Sequence, residues 1–338
     1  MAKMKAILVS APGAEMELVE VDIPQPDPGE VRIKVEACGV CHSDVFVKEG
    51  VFPNIEYPRI PGHEVVGTIE SLGEGISEWN MGTRVGVGWH GGHCFHCGPC
   101  RTGDFVNCHN SQITAISRDG GYAEYMTASQ HALARVPDDL QSAAAAPLMC
   151  AGVTTFNSLR NCAARPGDLV AIQGVGGLGH LGIQFAVRMG FNTVALSRGR
   201  DKENLAKNLG AHAYIDTEFE DAGEALTAMG GARIILATAP NAASMAPLLN
   251  GLANDGQVII VGADAESIPV SPLQLIPGRR SVRGWPSGTA MDSEAALNFS
   301  SLVGVRPTIE EFSLAQAGEA YQHMMNNEAR FRAVLKIS

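Results

Sequence analysis

Two hydrophobic rhythms divide the chain. In the first part apolar and polar residues alternate over short stretches. Val31, Ile33 and Val35 interleave with Arg32, Lys34 and Glu36, the period of a strand with one buried face. An opening strand over 6–9 and short apolar runs at 65–69 and 85–87 extend this mainly β reading over residues 1–150. Near residue 150 the rhythm changes. A buried-strand run at 168–173 leads into a glycine turn and an apolar helical stretch at 178–189. Further strand runs fall at 193–197, 213–216, 233–237, 257–261 and 281–284, with helical stretches at 201–209, 218–229 and 241–252. Such alternation predicts an α/β, doubly wound parallel sheet of six strands with right-handed crossovers. After about 290 the chain reads helix, strand, helix, strand, and 331–337 suits a closing strand that returns to the first domain. The expected domains are 1–151 with 291–338, and 152–290 between them.

Composition narrows the classes. The formal net charge of −11 disfavours nucleic acid or an anionic membrane surface as the main partner. No apolar run approaches the roughly 20 residues of a membrane span. The apolar run at the start is too short for a secretory leader. The eight cysteines then point to metal or catalysis in a reducing, cytoplasmic setting rather than to disulfides.

Four of them, Cys94, Cys97, Cys100 and Cys108, have the spacing of a tetrahedral zinc site. Short Cys-x-x-Cys turns present two thiolates to one ion, and four thiolates leave no open position, so this site is expected to be structural. His93, His96 and His109, or an iron–sulfur cluster, are the weaker alternatives. Cys41, His63 and Cys150 are weak signals singly, since a lone Cys or His is more often a core residue. Together they offer three zinc ligands with a fourth position open, the catalytic arrangement. A redox pair of Cys38 with Cys41, or a cysteine nucleophile, is the competing chemistry.

Gly174, Gly176, Gly177, Leu178 and Gly179 follow the 168–173 run and open a helix. In that context the glycines allow the turn, let backbone approach a pyrophosphate, and pack helix on strand, while the helix N-terminus faces the anion. The next strand ends on Ser197 and Arg198. There is no acid for a ribose 2′-hydroxyl, whereas Arg198, helped by Lys202, suits a 2′-phosphate, so NADP is favoured over NAD. Asp201 falls at the following helix start.

These motifs in this order resemble the zinc-dependent medium-chain alcohol dehydrogenases, most closely the bacterial and yeast-like and the cinnamyl-alcohol-dehydrogenase-like branches. The resemblance covers nearly the whole chain. It rests on Gly39-Val-Cys41-His-Ser-Asp44, Gly62-His63-Glu64, the four-cysteine lobe, Leu148-Met-Cys150-Ala-Gly-Val-Thr154 and the glycine loop. It implies a GroES-like catalytic domain beside the Rossmann domain and two zinc ions per chain. It also implies that Cys41, His63 and Cys150 bind the catalytic zinc with Glu64 beside it, that Asp44 hydrogen-bonds His63, and that Ser43 takes the alcohol proton. His42 and Arg332 match contacts to the cofactor pyrophosphate, Thr154 a contact to the nicotinamide, and Val261, Gly262 and Ala263 the segment passing its carboxamide. Many relatives have a proton-passing histidine five residues after the first zinc cysteine; here it is Phe46. Phe46, Phe52, Trp89 and Trp285 are expected to line an apolar or aromatic substrate cleft.

The implied reaction is reversible hydride transfer between a primary or secondary alcohol and NAD(P). A polyol dehydrogenase or a double-bond reductase of the same architecture is the nearer alternative. A zinc-ribbon binding protein with a sensing nucleotide fold is the alternative from another class, and would need a basic face; 84–118 carries Arg84, Arg101 and Arg118 against Asp104. A homodimer or homotetramer acting on small molecules is implied.

Overall fold

The computed structural model describes residues 2–337. It divides into two compact units. One runs through Val153 and resumes at Gly288; the other is Thr154–Ser287.

The second unit is built on a six-stranded sheet. In spatial order its strands are Ala213–Asp216, Asn192–Ser197, Leu169–Gln173, Ala232–Ala237, Leu252–Ile260 and Ser281–Gly284. Every neighbouring pair is parallel. This is the doubly wound order, with its reversal beside the central Leu169–Gln173 strand. That strand is buried at every residue, because a parallel sheet is covered on both faces, and its unbroken apolar run follows from that. The crossover helix Gly179–Arg188 buries Leu181, Ile183, Phe185 and Ala186.

Element ends differ from the periodicity where local chemistry intervenes. The helix expected over 218–229 is Ala222–Ala228, because the Asp221 side chain accepts from Glu224 N–H at 2.8 Å and caps it there. The stretch expected over 241–252 begins as helix Ala242–Met245 and tightens to a 3₁₀ turn, Ala246–Gly251, at Pro247. The fifth strand starts at Leu252 rather than 257, with a register shift between Ala232 and Ile234.

The first unit centres on the long strand Glu30–Gly39. It pairs antiparallel with Val65–Leu72, with Tyr125–Ser129, and at its end with Arg332–Lys336. The closing strand of the chain thus lies against Ala37–Gly39. Ile309–Ser313 extends that edge, and Arg84–Val87 and Leu133–Arg135 the other. Val31, Ile33, Val35, Val65, Ile69, Tyr122, Met126 and Leu335 form its core. A small ribbon, His90–Gly92 with Gln112–Ile113, carries the four-cysteine lobe between its strands.

Phe185 is fully buried, with its ring 5.5 Å from that of Phe156. Phe185→Ala is expected to lower stability by about 3–5 kcal/mol, read as a shift of the urea midpoint. A loss below about 1 kcal/mol would show that the surrounding side chains collapse into the space.

Candidate metal centre and nucleotide site

The sheet of the first unit delivers the metal-ligating side chains. Cys41 follows the Glu30–Gly39 strand and starts a 3₁₀ turn, His42–Asp44. His63 and Glu64 immediately precede Val65–Leu72. These two strands pair with Cys38 opposite Val65, and Gly39 N–H donates to Glu64 O at 2.9 Å. The two segments therefore arrive at the same end of the sheet. A Cβ on Gly39 would lie 1.9 Å from Glu64 Oε2, so only glycine fits beside that carboxylate. Cys150 closes the 3₁₀ turn Ala146–Met149, just before helix Ala151–Arg160.

One donor atom each from Cys41, His63, Glu64 and Cys150 lies within 4.8 Å of the others. Cys41 Sγ and Cys150 Sγ are 3.8 Å apart. His63 and Glu64 are at most 1% exposed, and among the described residues His63 Nε2 and Glu64 Oε2 have no hydrogen-bond partner. Orphaned buried atoms aimed at two thiols suit a divalent cation. The electrostatics agree. Burial pushes the Glu64 carboxyl up to about 8 although Arg332 opposes it. The bond from Cys150 holds the Cys41 thiol down, and the same bond pushes Cys150 up; metal binding favours the thiolate form of both.

The partners of these residues are fixed in turn. His63 Nδ1 faces Asp44 Oδ1 at 3.2 Å. Burial opposes protonation of His63, but the Cys41 thiolate and Asp44 raise it above its ordinary value. Asp44 Oδ2 accepts from Cys41 N–H at 2.9 Å and from the Tyr122 hydroxyl at 2.8 Å. Burial and the nearby Asp44 charge push the Tyr122 phenol up, so it remains a donor. Arg332, 4% exposed, gives Nη2 to Glu64 Oε1. Ser43 is half-buried and His42 exposed on the turn after Cys41. Beside the site, the Trp89 ring meets the His63 ring edge-on at 5.0 Å. Phe46, Phe52 and Trp89 contact one another at 5.7–6.2 Å. Trp285 belongs to the other unit, where Arg283 stacks over it at 4.6 Å.

Cys94, Cys97, Cys100 and Cys108 form the second cluster. Cys108 Sγ lies 3.6 Å from Cys94 Sγ and 3.9 Å from Cys97 Sγ. Helix Gly98–Arg101, with proline in its first turn, places Cys100. An Asn110 amide bond holds the Cys94 thiol down to about 5, while desolvation pushes Cys100 up to about 12. All four positions of a tetrahedral zinc are filled, as in structural sites.

In the second unit Gly174 has φ +94° and an added Cβ on Gly179 would lie 1.7 Å from Gly174 O. Nothing lies within 4 Å of a Cβ on Gly176, which leaves that backbone open to a ligand. Gly177 and Leu178 lead into the Gly179–Arg188 helix. Val261 and Gly262 donate to Ala237 O at 3.0 Å, so this segment with Ala263 follows the carboxyl ends of the strands. These features fit a dinucleotide at the reversal of strand order. Ser197 ends its strand, Arg198 is exposed, and Lys202 is half-buried on the next turn. Asp216, across from Ser197, spends Oδ1 on the N–H groups of Gly199 and Glu218. Thr154 is buried in helix Ala151–Arg160.

Residues 27–138 match the alcohol dehydrogenase GroES-like domain and 177–301 the zinc-binding dehydrogenase domain. Alcohol dehydrogenase patD of Penicillium expansum is 46% identical over 323 residues, covering 96% of this chain and 94% of its own. This chain belongs to the zinc-dependent medium-chain alcohol dehydrogenase family. Cinnamyl alcohol dehydrogenase of Sorghum bicolor superposes with a TM-score of 0.91 at 29% identity, covering 99% and 98% of the two chains. A cinnamyl-type enzyme of Helicobacter pylori complexed with NADP(H) gives 0.88 at 25%, covering 99% and 98%. The protein is a zinc-dependent, NAD(P)-linked oxidoreductase of the alcohol dehydrogenase type, with two clusters that match the family's two zinc sites. Among the described residues no helix is long and apolar enough to cross a membrane.

Two contacts of the site were not foreseen from the sequence: the pairing of Arg332 with Glu64, and the reach of Tyr122 to Asp44. The first has one signal, an arginine within the apolar closing strand. The second has none beyond the glycines that precede Tyr122.

Glu64→Ala leaves Arg332 as an uncompensated buried charge. The expected cost is about 3–5 kcal/mol, measured by denaturation of the zinc-loaded protein. Adding Arg332→Ala should recover a large part of it; no recovery would mean that the loss lies elsewhere than in the stranded charge.

Proposed function

We propose that the enzyme reversibly oxidises apolar or aromatic primary and secondary alcohols, with NADP as the preferred cofactor. The observation that carries this reading is the convergence of Cys41, His63, Glu64 and Cys150 on one buried point, with His63 Nε2 unpartnered. When bound, zinc supplies Lewis acidity to the alcohol oxygen and the nicotinamide accepts the hydride.

The chain's own residues do the rest. Cys41, His63 and Cys150 ligate the ion, and Glu64 stands beside it. Arg332 holds Glu64 in place and opposes its protonation. Asp44 orients His63. Ser43, on the turn between Cys41 and Asp44, takes the alcohol proton. Phe46, Phe52 and Trp89 exclude water next to His63 and favour an apolar or aromatic group. A polyol would need hydrogen-bond partners where these rings stand, which argues against the polyol dehydrogenase alternative.

The glycine loop Gly174–Gly179 holds the pyrophosphate; in the first unit His42 is exposed on its turn, while the Arg332 guanidinium is engaged by Glu64. Thr154, Val261, Gly262 and Ala263 hold the nicotinamide end. Ser197, Arg198 and Lys202 receive the adenosine ribose, and the absence of an acid at the strand end supports a 2′-phosphate. Eight cysteines without a disulfide suit the cytoplasm. Val270, Leu273 and Ile276 are exposed near the edge strand Ser281–Gly284, which supports a homodimer or homotetramer.

Cys41→Ala should abolish turnover and lower zinc from two to one per chain while the circular dichroism spectrum is unchanged. Undiminished turnover would remove Cys41 from the mechanism. Arg198→Asp should move the NADP/NAD ratio of kcat/KM toward NAD by roughly ten- to hundredfold, since a hydrogen bond to a charged group contributes about 1.5–3 kcal/mol. An unmoved ratio would refute the cofactor assignment.

A further inference from the structure

We propose that Tyr122 is a positioning residue for the metal centre. Its hydroxyl fixes Asp44, and Asp44 in turn holds His63 in the orientation and tautomer that leave Nε2 free for the ion. The inference rests on reading Cys41, His63, Glu64 and Cys150 as the catalytic zinc site.

Asp44 is shared between two jobs. Its Oδ2 receives both the Cys41 N–H, at 2.9 Å, and the Tyr122 hydroxyl, at 2.8 Å. Its Oδ1 pairs with His63 Nδ1 at 3.2 Å. Two donors on Oδ2 set the rotation of the carboxylate about its Cβ–Cγ bond, and that rotation decides where Oδ1 points. Orienting groups of this kind govern ligand geometry and metal affinity.

The placement of Tyr122 makes the bond more than a local one. The backbone of 120–122 runs alongside 60–62. Gly120 N–H donates to Ile60 O at 2.8 Å, Gly121 N–H to Gly62 O at 2.9 Å and Tyr122 N–H to Pro61 O at 3.0 Å. Tyr122 is therefore fastened to the segment that carries His63, whereas Asp44 sits on the segment that carries Cys41. Through one carboxylate the hydroxyl ties together two pieces of chain that each supply a ligand.

The residue before His63 makes room for this. Gly62 has φ +98°, and a Cβ there would lie 2.3 Å from Tyr122 Cδ1. The phenol ring occupies the space that a side chain at 62 would take. It is fully buried, so its hydroxyl needs a protein partner, and Asp44 is that partner.

Tyr122→Phe keeps the ring and removes only the hydroxyl. Zinc-loaded wild type and Tyr122→Phe are mixed with a chelating dye, and zinc release is followed with time. The expected result is release of one of the two ions about tenfold faster in the variant, the lower end of the roughly 10–100-fold effects of outer partners on metal affinity. The ion of the four-cysteine lobe keeps its rate and serves as the internal reference. With cobalt in place of zinc, the ligand-field bands of the faster site should shift. In an Asp44→Ala background, which removes the acceptor, the Tyr122→Phe effect should vanish, because the hydroxyl acts through that carboxylate. Equal release rates with unchanged cobalt bands would overturn the proposal, as would a full Tyr122→Phe effect in the Asp44→Ala background. A wild-type chain that holds only one zinc would overturn the reading of the metal centre, and this inference with it. Two zinc ions with an insensitive Tyr122 would overturn the inference alone.

Discussion

The first unit gathers more buried acidity than its own cations balance. Cys41, Cys150, Glu64 and Asp44 converge around His63, and the carboxyls of Glu64 and Asp44 are at most 1% exposed. Among the described residues Arg332 is the guanidinium paired with Glu64. Charges held away from water at a cost of several kcal/mol each demand counter-charge or protonation. The upward shift of Glu64, and the opposite shifts of the two thiols, follow from that demand. A dication relieves all of it at once. The antiparallel pairing that brings Cys41 and His63 to one sheet end, and the glycine at 39 that admits Glu64, read as scaffolding for that requirement.

Chemistry and cofactor choice are separated in the chain. Cys41, His63 and Glu64 are buried in the first unit, whereas Arg198, which we propose to meet the adenosine ribose, stands exposed on a turn of the second. The Arg198 side chain is exposed there, so its substitution is expected to leave little mark on stability. The backbone beneath is constrained far more tightly, since Gly174 and Gly179 leave no space for a Cβ.

The ease of reading each feature from the sequence follows its length scale. The parallel sheet was legible because strands buried on both faces are written as continuous apolar runs, as at Leu169–Gln173. The four-cysteine lobe was legible because its ligands are close neighbours in the chain. Cys41, His63 and Cys150 were ordinary core candidates until the order of the surrounding motifs tied them to a family, since spacing across a folded sheet carries no periodic signal. Helix onsets were lost where one side chain, such as Asp221, decides the cap. The Tyr122–Asp44 and Arg332–Glu64 contacts span 78 and 268 residues, and no local pattern encodes a partner at that distance.

The same distances bear on how the protein is made. Cys94 and Cys108 lie 14 residues apart, whereas Cys41 and Cys150 are separated by 109. Closing a loop costs entropy that grows with its length. The lobe can capture its ion as soon as a short stretch has left the ribosome. The other centre has to wait for about 150 residues of chain and for the pairing of distant strands. Loop closure therefore favours the lobe as the first of the two clusters to assemble.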